Sequence, residues 1–303
     1  MKIVILGTAS APLPRKSKRG GTGVLVSFSN TNLLFDCGPG VVQKIINSGI
    51  ELGDINTLLI THHHYDHITD IGYFVLGRWE WGIFNQTNSY GMKSKPPLKK
   101  LEVYGPSPIR KMFDSLFGVD GFYSSDIKAR THETSDDGGK GTFEILGVSQ
   151  DSLKPPEFVV NEIKSGYVLN KSNFKLSTLQ VPHLKPWLVN LAYKLETNKE
   201  KIVFTGDTAH YEPLIEFSKD ADVLIHECTQ TEERRVNLGM KQIHSSPNTV
   251  GKIASKANVK KLVLQHFGMW SERPEVLSTF KSDIKKDYDG EIIISNDMEE
   301  IIV

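Results

Sequence analysis

"ITHHHYDHI", residues 60–68, puts four histidines and an aspartate into the six residues His62 to His67. A run of histidines alone is ordinary on a surface, but the spacing here carries more. His62, His64, Asp66 and His67 form H-x-H-x-D-H directly after the apolar run "INTLLIT" (residues 55–61), which reads as a buried strand. Alternate residues leaving a strand project to one side, so His62 and His64 can converge on one ion while the following turn aims Asp66 and His67 at another. Imidazole and carboxylate together suit zinc, with manganese or iron as alternatives, because geometry selects among these metals imperfectly.

The flanking sequence predicts strands with helices between them. Upstream, "KIVILG" (2–7) is strand-like, and "TGVLVSFSNTNLLFDCG" (22–38) is two apolar runs around Ser29, Asn30 and Asn32, a hairpin pattern. "GVVQKIINSG" (40–49) has helical spacing with Gly49 placed to end it. Downstream, "FKLSTLQVPH" (174–183) ends at His183, the hairpin "NLAYKLETNKEKIVFTGD" (190–207) at Asp207, "ADVLIHE" (221–227) at Glu227, and "VKKLVLQHF" (259–267) brings in His266. Strand ends are rigid and the loops beyond them can carry chemistry, so these polar termini are candidate site residues. Helices are expected in "YEPLIEFSKD", "SPNTVGKIASKA", with Ser246 and Pro247 as cap and first position, and "RPEVLSTFKSDIKK".

With 303 residues and 39% hydrophobic content the chain can bury a large core. Its 36 basic and 36 acidic residues cancel, so no global field singles out nucleic acid or a membrane, and any attraction for anions has to be local. Cys37 and Cys228 each follow an apolar run and read as small buried thiols, which excludes a disulfide framework. No leader-like segment precedes "KIVILG", and no apolar stretch approaches the roughly 20 residues of a membrane span, so the expected place is the cytoplasm. Residues 84–100, rich in lysine and proline, and 131–141, rich in glycine, read as loop insertions.

"THHHYDH" (61–67), "VPH" (181–183), "FTGDT" (204–208) and "LVLQHF" (262–267), in that order, together with "ILGTASAPLP" (5–14) and "LLFDCGPG" (33–40), resemble the metallo-β-lactamase superfamily. The resemblance implies an α/β fold, a four-layer αββα sandwich, in one domain spanning residues 1–303. It implies two divalent metal ions per chain, most simply zinc: His62, His64 and His183 at the first, Asp66, His67 and His266 at the second, and Asp207 shared between them. Asp36 resembles the family's early aspartate, which orients the ligand loop without binding metal; His63 and Tyr65 fall at variable positions. Two such cations, offset by Asp66, Asp207 and a hydroxide, leave a local excess of about one positive charge, which favours an anionic substrate.

"LIHECT" (224–229) and "QIHSSP" (242–247) resemble the segments of the tRNase Z branch that set a glutamate and a histidine beside the metals, here Glu227 and His244. Paired, they would protonate a departing ribose oxygen; alternatively His244 caps the helix after it. His226, on the opposite face of its strand, reads as packing. "LEVYGPSP" (101–108) is similar to that branch's Gly-Pro turn. Pro39, and Tyr65 in place of a small residue, depart from its pattern, and its basic tRNA-gripping arm is not recognisable. "RKSKRGG" (15–21) could hold a phosphate chain, although charges on a loop are more often only solvated. Tyr65, Trp187 and Trp270 are candidate substrate-lining residues. The expectation is a dinuclear metal-dependent phosphodiesterase with tRNA as one candidate substrate, and the resemblance suggests a homodimer. The alternative is an arylsulfatase-like or other small-ester hydrolase; a non-catalytic metal-binding module would have shown an incomplete ligand set.

Overall fold

In the first strand, Lys2–Gly7, Ile3 and Ile5 enter one apolar layer while Val4 and Leu6 enter another. That alternation is the period of two expected of a strand buried on both faces. The computed structural model describes residues 1–12, 17–86, 97–131, 141–147 and 153–303. Two seven-stranded sheets pack face to face. The first runs Glu299–Ile302, Lys2–Gly7, Gly23–Phe28, Thr31–Phe35, Thr57–Leu59, Leu101–Gly105, Phe158–Glu162. The second runs Glu291–Ile294, Lys261–Gln265, Val223–Glu227, Lys201–Phe204, Asn190–Glu196, Lys175–Val181, Val168–Asn170.

Three apolar layers separate four structural ones. Between the sheets lie Ile3, Ile5, Phe35 and Leu59 from one and Leu191, Tyr193, Phe204 and Ile225 from the other. Phe35 meets Tyr193 and Phe204 edge-on with ring centroids 5.9 and 5.6 Å away, a favourable aromatic geometry. Outside the first sheet, Val4, Leu34 and Leu58 pack on Val41, Ile45, Phe74 and Phe113 of the helices Val41–Asn47, Ile71–Gln86 and Ile109–Phe117. Outside the second, Leu224, Leu262 and Leu264 pack on Val250, Ile253, Phe280 and Ile284 of the helices Pro247–Lys256 and Pro274–Ile284. This is the αββα sandwich expected from the sequence.

Both expected hairpins form, with Val24 opposite Phe35 and Tyr193 opposite Phe204. Ser246 caps the helix Pro247–Lys256 by accepting from Thr249 N, with Pro247 in its first turn. Gly49 ends the helix Val41–Asn47 at φ +77°, a backbone state open to glycine at little cost. Cys37 and Cys228 are buried free thiols. No helix among the described residues is long and apolar enough to cross a membrane.

Two helices reach into the first residues of the stretches read as loop insertions. The helix Ile71–Gln86 runs into the stretch read as an insertion at 84–100, and Asn85 is buried. Its "IGYFVLGRWEWGIFNQ" shows no polar stripe because it packs two ways: Ile71, Phe74 and Val75 belong to the layer on the first sheet, Trp79 and Ile83 to a separate cluster with Ile127 and Leu153. Likewise Thr131 closes the helix Ser124–Thr131, its hydroxyl donating to Ile127 O at 2.9 Å. Of the two stretches, residues 97–100 and 141 are in neither helix nor strand, and residues 87–96 and 132–140 lie outside the described residues.

The parallel strands fix the site. Thr31–Phe35 and Thr57–Leu59 run parallel in one sheet, as do Lys201–Phe204, Val223–Glu227 and Lys261–Gln265 in the other. Asp36, His62, Asp207, Glu227 and His266 all lie at or just past the carboxyl ends of these strands. Tyr193 ties the sheets together there, its hydroxyl donating to Ile60 O at 2.7 Å.

Candidate metal centre

The histidine motif is shaped by the loop of Asp36, Cys37 and Gly38 beneath it. His64 keeps extended backbone (φ −68°, ψ 146°) and the short helix Tyr65–Ile68 begins after it, which places Asp66 and His67 in its first turn. Cys37 N donates to His67 O at 2.7 Å and Thr22 N to Asp66 O at 2.9 Å. Only glycine fits at position 38, since a Cβ there would lie 1.9 Å from Asp66 O.

Three overlapping groups of donors result, one of them Asp207, His244 and His266 and the other two matching the expected ligand sets. One ligand atom from each of His62, His64, His183 and Asp207 fits within 4.8 Å of the others, and the same holds for Asp66, His67 and His266. Asp207 reaches both: its Oδ2 is 3.8 Å from His62 Nε2 and 3.7 Å from His183 Nε2, but also 3.2 Å from His266 Nε2. Its Oδ1, 3.4 Å from His67 Nε2, is buried and engaged in no hydrogen bond.

The outer nitrogens fix which lone pairs face inward. His67 Nδ1 donates to Asp36 Oδ2 at 2.7 Å, and His183 Nδ1 to Ile243 O at 2.9 Å. Thr61 donates its hydroxyl to Asp36 Oδ2 at 2.8 Å and so accepts from His62 Nδ1 at 2.9 Å. Each of these rings therefore presents Nε2 to the cluster, as metal-ligating imidazoles do. His62 Nε2 and His183 Nε2 stand 3.1 and 3.2 Å from His64 Nδ1, and His67 Nε2 stands 3.3 Å from His266 Nε2. Buried lone pairs crowded this closely, with a bare carboxylate oxygen beside them, fit a divalent cation in each group.

Protonation follows the same logic. Burial holds His62 well below the ordinary imidazole pKa and lowers His64 to about 4. Burial opposes charge on Asp207 too, but His266 and His67 outweigh it and hold the carboxyl well below its usual range. At His67 burial is outweighed by Asp207 and Asp36, which raise it well above the ordinary value. A cation beside Asp207 would take the place of that proton.

Supporting groups stiffen the cluster. Asp36, at φ +57°, accepts from Thr61 N at 2.8 Å as well as from Thr61 Oγ1 and His67. Asn190 donates its side-chain amide to Asp207 O. Ala11 N donates to Asp66 Oδ2 at 2.7 Å, so the N-terminal loop orients that carboxylate. That loop is pinned by Arg19, whose Nη1 donates to Thr8 Oγ1 at 2.6 Å and Ser295 O at 2.8 Å. Arg19 is thus a structural clamp and not a solvated charge; Arg15 and Lys16 lie outside the described residues.

Beside the cluster, His244 Nδ1 is 2.8 Å from Glu227 Oε1, and its ring centroid is 5.1 and 5.6 Å from those of His183 and His266. Burial disfavours charge on His244, but the Glu227 carboxylate outweighs it and raises the pKa to about 9. Glu227 is itself held by Thr208 N at 3.0 Å and by Thr229 N and Oγ1 at 3.2 and 2.7 Å. Capping of the next helix falls to Ser246, so the alternative of a capping His244 is not what forms. Thr229 escaped the sequence reading: its Oγ1 also lies 3.3 Å from both His244 Nδ1 and His266 Nδ1. Its place in "HECT", two residues past Glu227, was the available signal.

The remaining candidates divide. His63 stays outside both donor groups, and His226 is fully buried with Nδ1 on Glu227 O, as packing requires. Tyr65 is half exposed, and Trp187 is 88% exposed, so it covers no core. Trp270 lies under the guanidinium groups of Arg234 and Arg273.

The chain is similar to known proteins in both sequence and fold. A family model described as a beta-lactamase superfamily domain matches residues 140–267, and one described as anti-Pycsar protein Apyc1 matches residues 1–81. Ribonuclease Z of Mycolicibacterium gilvum is 25% identical, over 100% of this chain and 96% of its own length. Among solved structures, the metallo-beta-lactamase fold protein YhfI from Bacillus subtilis superposes with a TM-score of 0.72 at 20% identity, over 99% of this chain and 98% of that one. Human tRNase Z, short form, gives 0.65 at 20% identity, over 100% of this chain and 99% of its own.

Proposed function

We propose that this metallo-β-lactamase-fold chain, similar from end to end to ribonucleases Z, is a dinuclear metal-dependent phosphodiesterase. His62, His64 and His183 would hold one divalent ion, Asp66, His67 and His266 the other, with Asp207 shared; zinc suits these donors best, and manganese or iron are the alternatives. When bound, such ions supply Lewis acidity toward a phosphoryl oxygen and a hydroxide nucleophile near neutral pH. The chain's part is to fix the ligand geometry through Asp36, Thr61 and Asn190 and to orient the attacking group with Asp66.

The Glu227–His244 pair carries the choice of substrate. A ribose or alkyl oxygen departs as a poor alkoxide and gains from a positioned acid, whereas a phenolate departs unaided, so an aryl sulfatase has little use for the pair. The name of the curated relatives supports RNA as the diester, and a homodimer in the cytoplasm belongs to the same reading.

Changing His244 to Ala should leave metal content intact and slow cleavage of an RNA diester about 10²–10⁴-fold, the worth of a positioned acid. Hydrolysis of bis(p-nitrophenyl) phosphate should hardly change, because nitrophenolate needs no proton. Equal losses on both substrates would rule out the acid, and loss of metal would make His244 a ligand instead.

A further inference from the structure

Arg234 stands apart among the described arginines. Arg19, Arg78, Arg110, Arg130, Arg235 and Arg273 each donate to at least one oxygen. The Arg234 guanidinium has no such acceptor among the described residues, and its Nε is buried without a partner. It lies over the indole of Trp270, with the guanidinium carbon 4.6 Å from the ring centroid. Arg273 lies 4.4 Å from the same ring, so two cations are gathered at one indole. Arg273 Nε donates to Trp270 O at 3.1 Å, and its ion pair with Glu275, at 3.7 Å, is exposed to solvent.

Among the described residues, the Arg234 guanidinium therefore has no anionic partner. Arg234, Trp270, Thr231, Glu233, Asn237 and Leu238 line an open cleft of about 180 Å³. That is below the roughly 300–1,000 Å³ of pockets for whole drug-sized ligands, so it suits a single group. Glu233 lines the cleft too but makes no ion pair with Arg234. The indole is already covered by guanidinium and is a poor stacking platform; what remains on offer is the planar fork of N–H donors that matches a phosphate.

The cleft is fastened to the site. Ser271 Oγ donates to Thr229 O at 2.8 Å, as does Gly268 N at 3.0 Å, while Thr229 Oγ1 contacts Glu227 and His266. Arg234 follows Thr229 by five residues and Trp270 follows His266 by four. With the chain's charges in balance, a guanidinium without a carboxylate partner is a local feature that a polyanion can use.

We propose that Arg234, backed by Trp270 and Arg273, receives a phosphate of a polynucleotide strand next to the diester being cut. This rests on the phosphodiesterase reading and deepens it, naming a strand as the preferred substrate over a diester with one phosphate. Trp270 acts as a positioning residue for the Arg234 guanidinium, and Arg273 in turn holds Trp270 through its backbone carbonyl.

The test uses the metal-loaded protein with Arg234→Ala and Arg234→Lys. One measurement is KM and kcat on an RNA strand and on bis(p-nitrophenyl) phosphate; the other is equilibrium binding of a short single-stranded DNA, which lacks the 2′-hydroxyl, over a range of salt. Arg234→Ala should raise KM for RNA and Kd for the DNA roughly tenfold, with kcat held, and flatten the salt dependence by about one unit of slope. Arg234→Lys, which keeps the charge but not the fork, should restore the slope and only part of the affinity. The nitrophenyl diester, with no second phosphate, should show no loss. Unchanged strand binding in Arg234→Ala, or an equal loss on the nitrophenyl diester, overturns the inference while leaving the phosphodiesterase reading in place. A wild type that hydrolyses no phosphodiester removes both.

Discussion

At the scale of single residues, the site depends on Asp207 more than on any one histidine. It is the one carboxylate within 4 Å of ring nitrogens from both donor groups, and its Oδ1 makes no hydrogen bond in the protein. Asp207→Ala should therefore lose both ions: elemental analysis, close to two transition-metal ions per wild-type chain, should fall toward zero with turnover. A variant that keeps both metals and its activity would show that the bridge is misassigned. The donor residues that the structure gathers were legible in the sequence because H-x-H-x-D-H after a strand leaves few other readings. Thr229, Asn190 and Ala11 were not, since their roles rest on a backbone N–H, an amide or a hydroxyl that acts only once distant segments meet.

At the scale of elements, the loop of Asp36, Cys37 and Gly38 is the part of the fold that turns a strand end into a metal site. It supports the helix Tyr65–Ile68 from below through Cys37 N and touches Asp66 O where position 38 has no side chain. Gly38→Ala would drive a methyl group into that carbonyl and should destabilise the protein by about 1–3 kcal/mol, the usual cost of forcing atoms into a packed site. Thermal unfolding of metal-free and metal-loaded forms should show a further effect, because displaced Asp66 and His67 bind the second ion less well. An unchanged melting temperature in both forms would mean that the loop yields freely. The strands and their order of use were readable from β-branched runs ending in polar residues. The helix Ile71–Gln86 was not, because two separate apolar clusters claim its faces and erase the stripe by which helices are read.

At the scale of the molecule, the two sheets bring residues from opposite halves of the chain, more than a hundred positions apart, into one cluster: His64 meets His183, and His67 meets His266. Neither half closes the site alone, so the ligand set, the acid pair and the Arg234 cleft stand or fall with the sandwich. The proposed reaction is phosphodiester cleavage in which His244 gives a proton to the departing alkoxide oxygen. It is tested most directly by the ratio of kcat/KM on an RNA strand to kcat/KM on an aryl sulfate, measured for the metal-loaded protein with and without chelator. The account predicts a ratio far above one, and loss of the RNA activity when the metals are removed. Turnover of the aryl sulfate alone, or RNA cleavage that survives full metal removal, would contradict it.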